Sequence, residues 1–230
     1  MKKSKTVEAP RAPRVVLLPF FPLHFVTTED RDLSIANIST SGIGFHRDSF
    51  SNLPEKGQGL SGLLQVQDKS YRLQLEIVHV SSQIIGCVIE PQNPEFSKDL
   101  NLHLDVELSA VITRPIDQKF LKENSEGTSH WYVGRENSCE LFFIEKDGVL
   151  SSFHCTIWGH YFESLKASHL RIGLVSKVEK KSGSINHQPQ SSLIDDLTNP
   201  SAELKQMAIR FVTNISQLES RFKSQILERL

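Results

Sequence analysis

Between Leu33 and Phe45 the chain reads Leu-Ser-Ile-Ala-Asn-Ile-Ser-Thr-Ser-Gly-Ile-Gly-Phe. An alternating apolar run, Leu33 and Ile35 with Ile38 beyond, enters a polar knot at Asn37-x-Ser39-x-x-Gly42 and leaves through Ile43 and Phe45. Period-two alternation on both sides of such a knot specifies strand, turn, strand. Asn and Ser offer side-chain oxygens and donors, and Gly42 is expected at positive φ, where a side chain is poorly tolerated. Asn, Ser and Gly are also the commonest turn residues, so a plain turn is the competing reading. What raises the stretch above a plain turn is Arg11-Ala-Pro-Arg14 upstream, whose guanidinium groups suit phosphate oxygens.

The strand pattern continues on both sides. Val15–Leu18, Leu23–Val26, Leu33–Ile38, Ile43–Phe45, Gly62–Val66, Tyr71–Val80 and Gln83–Ile89 read as short strands with polar turns. Tyr71, Leu73, Leu75 and Ile77 share one face, whereas Val78 and Val80 cross over, which predicts a bulge. Such spacing predicts a small antiparallel barrel closing on itself. Asn93-Pro94-Glu95 then carries a cap, a first-turn proline and a first-turn acid, followed by Phe96, Leu100, Leu104, Leu108 and Val111 at helical intervals. Leu100, Leu102, Leu104, Val106 and Leu108 also alternate as a strand would, and the capping signal decides for a helix.

Arg11, Arg14 and the Asn37, Ser39, Gly42 knot, followed by a β pattern to about residue 113, resemble the PilZ domain, the bacterial cyclic di-GMP receptor module. Ile85–Ile89 resembles its last barrel strand. The resemblance implies a PilZ-like barrel followed by a helix, and cyclic di-GMP as ligand. Asn37 and Ser39 would meet a guanine edge, Gly42 would permit close approach, and Arg11 and Arg14 would fold over the phosphates or guanine faces. Binding members carry R-x-x-x-R, whereas only Ala12 and Pro13 separate Arg11 from Arg14, and Asn37 stands where Asp is more usual. Both departures favour a rival reading, an interaction or assembly module that has lost the nucleotide. The resemblance also implies a bacterial signalling role in motility, adhesion or exopolysaccharide control, with a protein partner that the sequence does not identify.

Beyond the barrel, Ser129–Val133, Cys139–Ile144, Val149–Ile157 and Leu170–Val175 predict a small β-meander over residues 116–178, with Asp147-Gly148 as a hairpin turn. Residues 179–199 are rich in Ser, Asn and Gln and read as a linker. Residues 200–230 read as one amphipathic helix with Leu204, Ala208, Phe211, Ile215, Leu218 and Phe222 as its stripe. That stripe must be buried, either on its own domain or, as the 4-3 spacing favours, on a second copy in a homodimer. The organisation is thus a basic arm over 1–14, a PilZ-like barrel plus helix over 15–115, the meander, the linker and the helix.

Composition sets the remaining bounds. With 26 basic and 27 acidic side chains, net charge -1, the chain lacks the basic excess of a nucleic-acid polymer binder. At 38% hydrophobic and 23% charged it builds a globular core. Three cysteines without CxxC spacing argue against a disulfide scaffold or zinc ribbon. His154, Cys155 and His160 match no usual zinc spacing, and no catalytic motif is present, so neither a metal site nor an enzyme is expected. The apolar run from Val15 is broken by Pro19 and Pro22, giving no membrane span and a cytoplasmic default.

Overall fold

The computed structural model describes residues 12–19, 21–66, 68–91, 93–121, 125–135, 138–165, 169–175 and 194–230. Arg11, most of the expected basic arm and most of the expected linker lie outside them. The chain divides into two compact units, Met1–Leu108 and Ser109–Leu230.

The first unit is built on eight antiparallel strands: β1 (Val15–Val16), β2 (Leu23–Thr27), β3 (Asp32–Leu33), β4 (Ile35–Ser39), β5 (Gly42–His46), β6 (Gly59–Val66), β7 (Lys69–Val80) and β8 (Ile84–Ile89). Their order in the sheet is β1-β4-β5-β8-β7-β6-β2-β3. β3 is therefore one edge and β4 lies next to the other edge, yet Ser34 alone separates them in sequence. Two Cα steps span at most about 7 Å, so the far ends of the sheet must come together. The sheet is accordingly a strongly curled half-barrel, with β1 and β3 left as hydrogen-bonding edges.

Alternation packs its interior. On β7, Tyr71, Leu73, Leu75 and Ile77 are buried while Arg72, Gln74 and Glu76 are exposed. The expected bulge follows Ile77, where the β7–β8 register shifts between Ile77 and His79. Helix α1 (Pro94–His103) starts where the cap predicts: Asn93 Oδ1 accepts from the amides of Glu95 (2.9 Å) and Phe96 (3.2 Å). Phe96 and Leu100 are fully buried and Leu102 is 66% exposed, so the helical period prevails over the alternating one. The Tyr71 and Phe96 rings meet at 5.3 Å, and Asp99 accepts from Lys69 Nζ (2.6 Å) and the Tyr71 hydroxyl, fastening α1 to β7. A turn at Leu104 separates α1 from α2 (Asp105–Val111), although the Leu104 amide still donates to the Leu100 carbonyl.

The second unit contains a seven-stranded meander: β9 (Arg114–Pro115), β10 (Thr128–Val133), β11 (Cys139–Lys146), β12 (Val149–Ile157), β13 (His160–Leu165), β14 (Arg171–Val175) and β15 (Ile194–Asp196), neighbours in space as in sequence. Asp147-Gly148 makes the expected hairpin, both residues at positive φ (53° and 80°). Three strands exceed the sequence expectation, the two-residue β9 and the strands β13 and β15. β13 escaped because Tyr161 and Phe162 are adjacent and both buried, so the strand is covered on both faces and does not alternate. β15 falls within the expected linker; Ile194 is buried beside Gly173, and Arg171 pairs with Asp196 at 2.6 Å.

The single C-terminal helix expected over 200–230 is two helices, α3 (Ala202–Asn214) and α4 (Ser220–Leu227). Near the break, Asn214 donates its side-chain amide to the Arg210 carbonyl and Lys223 Nζ donates to Thr213 O. The Asn214 bond, to the carbonyl four residues back, competes with helix continuation, and the Lys223 bond satisfies a carbonyl at the end of α3 from across the break. Phe211, Ile215, Leu218, Phe222 and Ile226 are all buried. Phe222 lies 5.0 Å from the Phe143 ring, Gln225 Oε1 accepts from the Leu150 amide (2.6 Å), and Arg229 donates to the Ser151 carbonyl (3.0 Å). The stripe expected to join a second copy is thus occupied within its own chain, which removes the reason for a homodimer through this segment. Truncation after Thr198 is expected to expose Phe143 and Leu150 and to melt the second unit. A truncated chain with unchanged circular dichroism and melting would contradict that packing.

Acid probes the same unit. His154 is stacked between Phe142 (5.0 Å) and Tyr161 (5.8 Å), and burial pushes its pKa down to about 4. The folded state then binds fewer protons than the unfolded state between about pH 6.5 and that value, so stability is complete above the window and lost as pH falls through it. Between pH 7 and 5 this contributes about 2 kcal/mol of acid destabilisation, which His154→Phe should remove. Denaturant titrations showing the same acid loss in both proteins would refute the assignment.

Candidate functional site

The register of β1, β4 and β5 determines where the candidate residues stand. Val15 pairs with Ile38 and Val16 with Asn37. Arg14 lies one residue before β1, so the same register continued brings it opposite Ser39. Ser39 in turn pairs with Gly42, and Asn37 with Gly44. Val15, Ile38 and Ile43 point into the core with no exposed surface. Alternation therefore sends Arg14, Asn37, Ser39 and Gly42 to the opposite face of the sheet, on two neighbouring rungs. Arg14 is exposed. Arg11 lies outside the described residues.

Gly42 differs from the expectation. Its φ is not positive; it is a regular strand residue of β5. The need for glycine comes from β8: a Cβ on Gly42 would lie 2.5 Å from the Cys87 carbonyl oxygen. Close backbone approach, not turn geometry, excludes a side chain here.

Ser39 and Asn37 have contrasting surroundings. Ser39 is only 3% exposed, and its hydroxyl lies 3.3 Å from the Gly42 carbonyl oxygen and 3.4 Å from Ser41 Oγ. It borders a small cleft lined by Pro13, Thr40, Asn101, Leu104 and Leu108, of about 20 Å³, room for about one water. Asn37 lays its amide over Gly44, with Oδ1 2.6 Å from where a Cβ would be, and that buried Oδ1 has no hydrogen-bond partner among the described residues. An orphaned buried acceptor is costly to leave unmade.

Sequence reasoning passed over Gly44 and His79. Gly44 pairs with Gly86 of β8, and Gly86 with His79 of β7. Two glycines at alternate positions of one strand, Gly42 and Gly44, are the signal for close approach to that face. The other titratable clusters are structural. Burial pushes the Cys87 thiol up to about 12 and the Cys155 thiol well above its ordinary range, so both pack as protonated apolar groups. Asp99 is held below the usual carboxylate range by hydrogen bonds from Lys69 and then Tyr71, the pair that fastens α1. Among the described residues no helix is long and apolar enough to cross a membrane.

No known family profile matches the chain, and no curated protein matches it. A solved structure of an uncharacterised Legionella protein aligns with 40% of this chain and 89% of its own, at 16% identity and a TM-score of 0.31.

Gly42→Val tests the packing of the site. Forcing a β-branched side chain against the Cys87 carbonyl should destabilise the first unit by roughly 1–3 kcal/mol, while Ser39→Ala leaves folding nearly unchanged. A Gly42→Val protein as stable as the parent in urea would show that β5 and β8 are not so closely apposed.

Proposed function

We propose that the first unit binds cyclic di-GMP in the manner of a PilZ domain, without catalysis, and passes the binding event to a protein partner. The supporting observation is the β1–β4–β5 register, which gathers Arg14, Asn37, Ser39 and Gly42 on one face directly beyond the basic arm. A guanidinium on the approach segment supplies charge for phosphate. Asn37 is part-exposed, and its side-chain amide would meet the guanine edge. Glycine at position 42 keeps the backbone low enough for a planar ligand to approach. Closure of the arm over the nucleotide would change the surface a partner reads, an ordering switch of a common kind.

One observation favours the rival, an interaction module without nucleotide. Ser39 is nearly inaccessible and its hydroxyl is engaged internally, so it presents little to a ligand. The two-residue spacer between Arg11 and Arg14 points the same way.

Calorimetric titration of the full chain with cyclic di-GMP separates the two. The receptor reading predicts saturable binding, weakened by about 2–5 kcal/mol on replacing either Arg11 or Arg14 with Ala, with unchanged melting. Absence of heat at tens of micromolar protein, or full affinity in the double variant, would leave the interaction module as the function.

A further inference from the structure

Ser39 is 3% exposed although β4 lies next to the edge of the sheet, covered on that side by the two residues of β1 alone. The remaining cover comes from the two walls of the small cleft that Ser39 borders. One wall is Asn101, Leu104 and Leu108, from the α1–α2 region; the other is Ala12 and Pro13, on the approach to β1. Continued back from Val15 and Ile38, the register brings Arg14 opposite Ser39 and Pro13 opposite Thr40, which sets the approach segment along this cleft. The space between the walls is about 20 Å³, room for about one water, so no ligand group reaches the Ser39 hydroxyl through it while both walls stand. The walls differ in how firmly they are fixed. Leu100 and Leu104 root the helical wall in the core. Ala12 is half-buried and Pro13 exposed, and among the described residues no hydrogen bond joins either to the rest of the chain. Pro13 also lacks the N–H that would continue the β1–β4 ladder. A segment held by packing alone, ahead of a two-residue edge strand, opens at small free-energy cost.

We propose that Ala12 and Pro13 form a strap that occludes Ser39 in the free protein and must lift before nucleotide is bound. This regulation rests on the nucleotide reading of the first unit. It gives the inaccessibility of Ser39 a cause other than loss of the ligand. Arg14 follows Pro13 directly, so leaving the cleft and bringing the guanidinium over the phosphates are one movement of one segment. When the binding-competent state is a minor one, apparent affinity is reduced by its fractional population. The strap sets that fraction, and its contact with Leu104 and Leu108 makes the α1–α2 region the surface against which the receptor is held closed.

Thiol labelling of the full chain carrying Ser39→Cys tests the strap without any ligand. Cys87, Cys139 and Cys155 are buried, which leaves the introduced thiol as the one a small alkylating reagent meets when the strap lifts. Ala12→Gly with Pro13→Gly frees the backbone and takes the proline ring out of the cleft wall, at unchanged melting temperature because neither residue belongs to the core. Under native conditions the loosened Ser39→Cys chain should react about fivefold or more faster than Ser39→Cys alone. With Ser39 intact, the same two glycines should speed association of cyclic di-GMP, followed by stopped flow, by a similar factor. Equal labelling rates with and without the glycines, or labelling in both chains at the rate of global unfolding, overturns the strap while the receptor reading stands. Faster labelling with an unchanged association rate overturns its regulatory role. A wild-type chain that binds no cyclic di-GMP overturns the nucleotide reading and that role together, whereas the labelling still decides whether Ala12 and Pro13 cover Ser39.

Discussion

One residue, Ser34, sets the shape of the first unit. It joins β3 at one edge of an eight-stranded sheet to β4 beside the other edge, and a two-step Cα span cannot bridge an open sheet. Curling is the only solution. Once the sheet curls, Phe25, Phe45, Leu64 and Ile85 converge on a common interior, and α1 closes it with Phe96 and Leu100. The same curl leaves β1 on an edge, paired only through Val15 and Val16, so Arg14, the residue before it, is delivered next to β4. The position of Arg14 beside Asn37 and Ser39 thus derives from a connection twenty residues further along the chain.

Much of this was legible because local rules and tertiary packing agree. Tyr71, Leu73, Leu75 and Ile77 alternate and are buried; Val78 breaks the alternation and the ladder shifts there; Asn93-Pro94-Glu95 caps a helix; Asp147-Gly148 turns a hairpin. What was not legible had a different physical origin. β13 is covered on both faces by Tyr161 and Phe162, which erases the period-two signal. β15 owes its existence to Ile194 packing and to Arg171 reaching Asp196, contacts between segments far apart in sequence. The C-terminal stripe was correctly read as needing burial, yet its periodicity contained nothing about whose surface would bury it. Phe143 and His130 of the same unit do so through Phe222.

The candidate site divides in the same way. Asn37, Ser39 and Gly42 are close in sequence, so their grouping was visible there, but the reason for the glycine was not. Positive φ was expected from turn chemistry, whereas proximity to the Cys87 carbonyl is a property of the β5–β8 pairing. Gly86 and His79 come from the β7–β8 hairpin, and a bulge reverses the face on which every later β7 residue lies. No alternation pattern assigns His79 to the face of Asn37 until that register is known.

The central claim is that the outer face of β1, β4 and β5 is a nucleotide-binding surface. Backbone amide chemical shifts of the isotopically labelled chain, followed during addition of cyclic di-GMP, test it most directly. The account predicts saturable changes concentrated at Arg14, Val16, Asn37, Ser39, Gly42 and Gly44, with the second unit's β10–β12 undisturbed. No saturable change, or changes centred on the second unit, would contradict it.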